Sequence, residues 1–68
     1  MHASIYAVVQ MDRVRQLCKK YNLSIEILEG EGTIHIGGNP RCNVERFFED
    51  VNSAYWFMLG FDWRGGTK

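Results

Sequence analysis

Apolar residues from position 44 onward recur at the spacing of a helix. Set at roughly 100° per residue, Val44, Phe47, Phe48, Val51, Ala54, Tyr55, Met58 and Leu59 share one face, and Glu45, Glu49, Asp50 and Ser53 lie opposite. This predicts an amphipathic helix capped by Asn43. The pattern changes after Ser53. Trp56 falls on the side of Glu45 and Glu49, Phe57 on the side of Arg46 and Asp50, and Phe61 and Trp63 follow beyond Gly60. The last turns are apolar nearly all round, so they must cover a second surface in this chain or in another.

A second helical pattern runs from Met11 to Tyr21. Met11, Val14, Leu17, Cys18 and Tyr21 repeat at intervals of three and four, with Arg13, Arg15, Gln16, Lys19 and Lys20 outside them and Asn22 as the stop. Extending this helix back to Ser4, as an N-cap, would put Ile5, Val8 and Val9 on the side of Asp12, Gln16 and Lys19. A strand over Ala3–Val9 avoids that exposure, and its β-branched and aromatic residues suit one buried on both faces.

Leu23 to Glu29 alternates Leu23, Ile25 and Ile27 with Ser24, Glu26 and a stray Leu28, as a half-buried strand does, and Thr33–Ile36 pairs with it by turning Ile34 and Ile36 inward. Glu29-Gly30-Glu31-Gly32 supplies the hairpin glycines, and Gly37 to Pro40 ends the second strand. The expected fold is α+β: a two-layer β-α-β-β-α sandwich, with two helices packed on one face of a three-stranded sheet. The alternative is α-β-β-α, a helix-hairpin-helix arrangement. Parallel pairing of the first two strands would require a right-handed crossover and would leave an open sheet edge for strand addition. Residues 1–64 form one domain in this reading, and residues 65–68 a flexible tail.

The element order is similar to a ferredoxin-like unit lacking its last strand, which implies no activity. GTIHIGG before an aromatic helix is similar to the second half of a KH-type RNA module. The GXXG loop that holds nucleic acid in that family is absent here.

At 68 residues the chain is near the size where a lone core supplies only about 3–5 kcal/mol, so outside support such as oligomerisation is expected. Two cysteines do not make a disulfide framework, and Cys18 and Cys42 are expected to be free thiols in a reducing compartment. Neither a secretory leader nor a membrane span is legible, which points to the cytoplasm and away from a membrane.

Eight basic and eight acidic residues cancel, so no overall field draws in nucleic acid. Arg13, Arg15, Lys19 and Lys20 are nevertheless clustered and could touch a phosphate backbone, although the solvated back that any amphipathic helix needs explains them more simply. His2, Cys18, His35 and Cys42 are zinc-type residues at spacings that form no compact site, so no metal or cofactor is expected. Cys42 and His35 show no catalytic spacing. Gly37 to Arg41 ahead of a helix could hold an anion, but the glycine pattern matches no phosphate-binding loop.

The leading functional expectation is therefore a non-enzymatic interaction module, self-associating or bound to a protein partner as a small regulator or inhibitor. Trp56, Phe57, Phe61 and Trp63 are its candidate interface. A nucleic-acid module using Arg13, Arg15, Lys19 and Lys20 is the alternative.

Overall fold

A computed structural model describes residues 5–28, 33–42 and 44–66. The fold is α+β, as expected, with two helices and a three-stranded sheet in the order α1 (Ile5–Lys20), β1 (Ser24–Leu28), β2 (Thr33–Asn39), β3 (Val44–Phe48) and α2 (Val51–Trp63). The sheet order is β1-β2-β3, and both pairings are antiparallel. No parallel crossover is needed.

Two segments take a different structure from the one their pattern predicts. The expected strand over Ala3–Val9 is helical from Ile5 onward, continuous with the Met11 pattern. Extending a helix already formed adds one hydrogen bond per residue fixed, which is cheaper than starting a separate strand. The exposure that argued against this helix is real, since Ile5 is 83 % and Val8 and Val9 are each 58 % exposed. What the helix gains there is Gln10, which is buried and donates from Nε2 to Asn52 Oδ1 at 2.9 Å. Ser4, the cap considered for it, lies outside the described residues.

The expected helix from Val44 is instead β3 followed by α2. Val44 and Phe48 are buried, whereas Glu45, Arg46 and Phe47 are exposed. Five residues with Val44, Arg46 and Phe48 on one side and Glu45 and Phe47 on the other satisfy a period of two as well as a helical one. The helix starts where Asp50, with an extended backbone, accepts a hydrogen bond from the Ser53 N–H at 2.8 Å. Asn43, the expected cap, is outside the described residues, as are the hairpin glycines Gly30 and Gly32.

The remaining expectations hold with small shifts. Asn22 ends α1 in the left-handed region at φ 56°. Ile25 faces Ile36 and Ile27 faces Ile34 across the hairpin. Gly37 and Gly38 do not stop β2 but carry it on to Asn39, through an irregularity between Ile36 and Asn39 at which Gly38 takes φ 91°.

Ile34 pairs with Phe48, so both point to the face covered by the helices. The core there joins Val14, Leu17 and Cys18 of α1, Ile34 and Ile36 of β2, and Ala54, Met58 and Phe61 of α2. The opposite face carries the row Glu26, His35 and Phe47. Phe47 is therefore not on the apolar helix face but 64 % exposed, with its ring 4.6 Å from that of His35.

The two helices run parallel. Gln10 meets Asn52 and Lys20 meets Asp62, each pair separated by 42 residues. This follows from topology, because β1 and β3 point the same way on either side of β2 and each helix packs back against its neighbouring strand. Gly65 and Gly66, assigned by sequence to the start of a tail, close α2: their N–H groups donate to Asp62 O and Phe61 O, each at 2.9 Å. Gly66 has φ 80°, and a Cβ there would run into the Tyr21 ring.

Candidate functional site

The four aromatics proposed as an interface divide into two pairs. Phe61 is fully buried and belongs to the core, with its ring edge-on to Tyr21 at 5.1 Å. It cannot reach a partner without unfolding. Phe57 is half-buried, stacked on Phe61 at 6.1 Å and tilted against Phe48 at 5.3 Å. Trp63, by contrast, is 91 % exposed, and Trp56 is 58 % exposed.

Trp56 and Trp63 lie two turns apart on one side of α2. Leu59 and Gly60 lie between them, and with Arg13 of α1 and Asp62 they line an open groove of about 560 Å³. Gly60 presents no side chain to that surface. A second apolar surface, hidden from the sequence reading by the strand assigned there, is the first two turns of α1, where Ile5, Tyr6, Val8 and Val9 are all exposed. Val8 and Met11 also border a shallow apolar groove against Val51 of α2.

The four basic residues do not form one patch. Arg13 and Arg15 are two positions apart, roughly 160° around a helix. Arg13 borders the Trp56 and Trp63 groove and Lys20 reaches Asp62 of α2, whereas Arg15 and Lys19 lie further round α1, with Arg15 on the groove that Val51 borders. Arg13 bonds to Gln16 at 3.4 Å, and Lys20 Nζ donates to Asp62 Oδ1 at 2.8 Å.

Tyr21 donates its hydroxyl to the same Asp62 oxygen. Hydrogen bonds from Lys20 and then Tyr21 hold the Asp62 carboxyl below the usual aspartate range. The Asp62 hydrogen bond in turn raises Lys20 and Tyr21 above theirs. Asp50 is also lowered, by the capping N–H of Ser53. Stability from lowered carboxyls is present above the unfolded value of about 3.9 and is lost as pH falls through the folded one. Stability from raised Lys20 and Tyr21 is complete below their unfolded values and is lost as pH rises through the folded ones. Urea midpoints should therefore fall below about pH 4 and again at strongly alkaline pH. Asp62→Asn should flatten both limbs, and unchanged limbs in that variant would show that the cluster does not link stability to pH.

The residues tested for chemistry have structural partners of their own. Cys18 is buried, and its thiol is pushed up to about 11 by that burial, opposed by Arg15. Cys42 Sγ lies 3.5 Å from Asn39 Nδ2 and 3.6 Å from the Tyr21 carbonyl. Both cysteines are free. His35 Nε2 hydrogen-bonds Glu45 at 2.6 Å on the outer sheet face. Among the described residues no group of three or more His, Cys, Asp or Glu could hold a metal ion. His2 lies outside them. Arg41, considered for an anion, donates its backbone N–H to Asn39 Oδ1 in a turn that leads into a strand, not a helix. No described helix is long and apolar enough to cross a membrane.

No protein-family model, curated protein or solved structure is significantly similar to this chain.

Proposed function

We propose that this protein is a non-enzymatic, cytoplasmic interaction module that self-associates through the outer face of its helix pair, with Trp56 and Trp63 as anchors. A module of this kind acts by occupying a surface, as a small regulator or inhibitor of a larger complex does. The observation carrying the proposal is the 91 % exposure of Trp63 beside Trp56 on the rim of one groove. Large aromatics that reach no core dominate contacts when a partner desolvates them. The chain has no net charge to keep two copies apart. Its small size also makes support from a second copy valuable.

Sedimentation equilibrium over a wide concentration range tests this directly. The expected result is a reversible rise from monomer to dimer mass, and a monomer throughout, up to millimolar protein, would overturn it. Arg15 and Lys19 should be bystanders. Arg15→Glu with Lys19→Glu is expected to change stability by no more than about 1 kcal/mol and to leave association intact, as exposed substitutions usually do. Salt-dependent nucleic-acid binding lost in that double variant would instead assign this flank of α1 to phosphate contacts.

A further inference from the structure

β3 is an edge strand, paired with β2 on one side only among the described residues. Its other edge opens on a groove of about 700 Å³ between the strand and α2, walled by Arg46, Phe57, Phe61 and Arg64, with Glu45 at its rim, where that carboxylate is hydrogen-bonded to His35 Nε2 at 2.6 Å on the outer sheet face. Arg46 faces Ile36 across the sheet, which places it on the helix side. Its guanidinium lies 5.0 Å from the centre of the Phe57 ring and 5.8 Å from that of Phe48. The two rings hold this cation beside the unpaired edge.

An open edge can receive another strand, and the sequence of β3 limits which. Strands paired antiparallel keep facing residues on the same side of the sheet, so two copies of β3 overlapping by three or more strand residues could meet about a twofold axis in only three registers. Centred on Arg46, the pairing sets Arg46 against Arg46. Centred on Glu45, it sets Glu45 against Glu45. Centred on Phe47, it sets Glu45 against Glu49, just past the strand end. Every one of these places like charges directly opposite, which destabilises a sheet. A second copy is therefore a poor occupant.

We propose that the β3 edge binds an extended acidic segment of another protein as a fourth strand. The segment turns a carboxylate toward Arg46, with Arg64 at the far wall, and turns apolar residues two positions to either side of that carboxylate over Phe57 and the groove floor. Main-chain hydrogen bonds supply sequence-independent affinity, while the cation selects the charge. This surface is separate from the Trp56 and Trp63 face of α2.

The test uses the full chain and labelled peptides followed by fluorescence anisotropy. The probe is Thr-Val-Thr-Glu-Thr-Val-Thr, whose alternate positions present Val, Glu and Val to one side. Its controls carry Lys in place of Glu, or N-methyl groups on alternate amides. The acidic probe should bind at least about tenfold tighter than the lysine probe, a difference of about 1.4 kcal/mol. N-methylation should abolish binding, and amide signals of residues 44–48 should shift on titration. Arg46→Glu should reverse the order of the two charged probes. Since Arg46 packs on two rings, Arg46→Gln serves as a milder variant that should erase the preference without reversing it. Trp63→Ala should leave peptide affinity unchanged. The proposal is overturned by any of three results: no saturable binding of the acidic probe, equal affinity for both charges, or binding that survives N-methylation. A dimer that excludes the peptide from the edge would overturn it as well.

Discussion

Phe61→Ala is expected to unfold most of the protein at room temperature. The ring is fully buried, packs edge-on against Tyr21 and stacks on Phe57, so it joins the end of α1 to the middle of α2. Truncating a buried phenylalanine costs about 3–5 kcal/mol through lost burial and the cavity left behind. A domain this small holds only about that much in reserve. The site has little freedom to collapse, because the carbonyl of Phe61 also receives the Gly66 N–H that closes the helix, and Gly66 sits against the Tyr21 ring. Loss of the far-UV circular dichroism signal, or a urea midpoint near zero, is the expected observation. A midpoint close to that of the unmodified protein would show that Phe61 is not a central core residue.

Trp63→Ala should do the reverse, leaving the fold intact and weakening the proposed dimer. Trp63 is almost wholly exposed, so its removal takes little from the folded monomer, and surface changes of this sort typically fall within about 0.5 kcal/mol. If it anchors an interface, it contributes about 2 kcal/mol or more there. That weakens the dimer roughly 30-fold. Trp56→Ala should act in the same direction with a somewhat larger effect on stability, since Trp56 is less exposed and its ring contacts Tyr55 at 5.4 Å. Sedimentation measures the first effect and thermal unfolding the second. Two variants that unfold yet never change the mass would return both tryptophans to the core and remove the basis of the proposed function.

The hairpin was legible in the sequence because two period-two stretches flank a glycine-rich turn, and a one-residue slip would have turned Ile34 and Ile36 outward. The lower half of α1 was legible for a similar reason, with Asn22 marking its end. The first turns of α1 were not, because Ile5, Val8 and Val9 are off its buried face, and a rule that sends apolar residues inward selects a strand for them. β3 was hidden by its length. Over Val44–Phe48 the helical and strand periods both turn Val44 and Phe48 inward and differ only at Arg46 and Phe47, so the Asp50 to Ser53 cap is what marks the start of the helix.

That ambiguity also blurred the site. A wheel begun at Val44 carries the phase of a strand into α2 and turns the helix away from its true buried line, which runs through Ala54, Met58 and Phe61. Trp56 lies far enough from either line to be read as exposed. Phe61 does not, and its place in the core needed the start of α2 to be known. The apolar excess was visible in composition, whereas its division into one core ring, one half-buried ring and two surface rings is a tertiary fact.

Because α1 and α2 run parallel, their backbone dipoles point the same way. Side-by-side dipoles of like orientation repel, and here both partial negative ends, each equivalent to about half an elementary charge, gather at one end of the molecule. Lys19 and Lys20 occupy the last turn of α1, and Arg64 follows the last turn of α2. At the opposite end, the start of α2 is met by the Asp50 carboxylate. Cations thus stand at the negative pole and an anion at the positive one, and the one carboxylate in the last turn of α2, Asp62, is met there by Lys20 Nζ at 2.8 Å. Two lysines that resemble a nucleic-acid contact in the linear sequence thus also stand where the aligned helices bring their partial negative ends together.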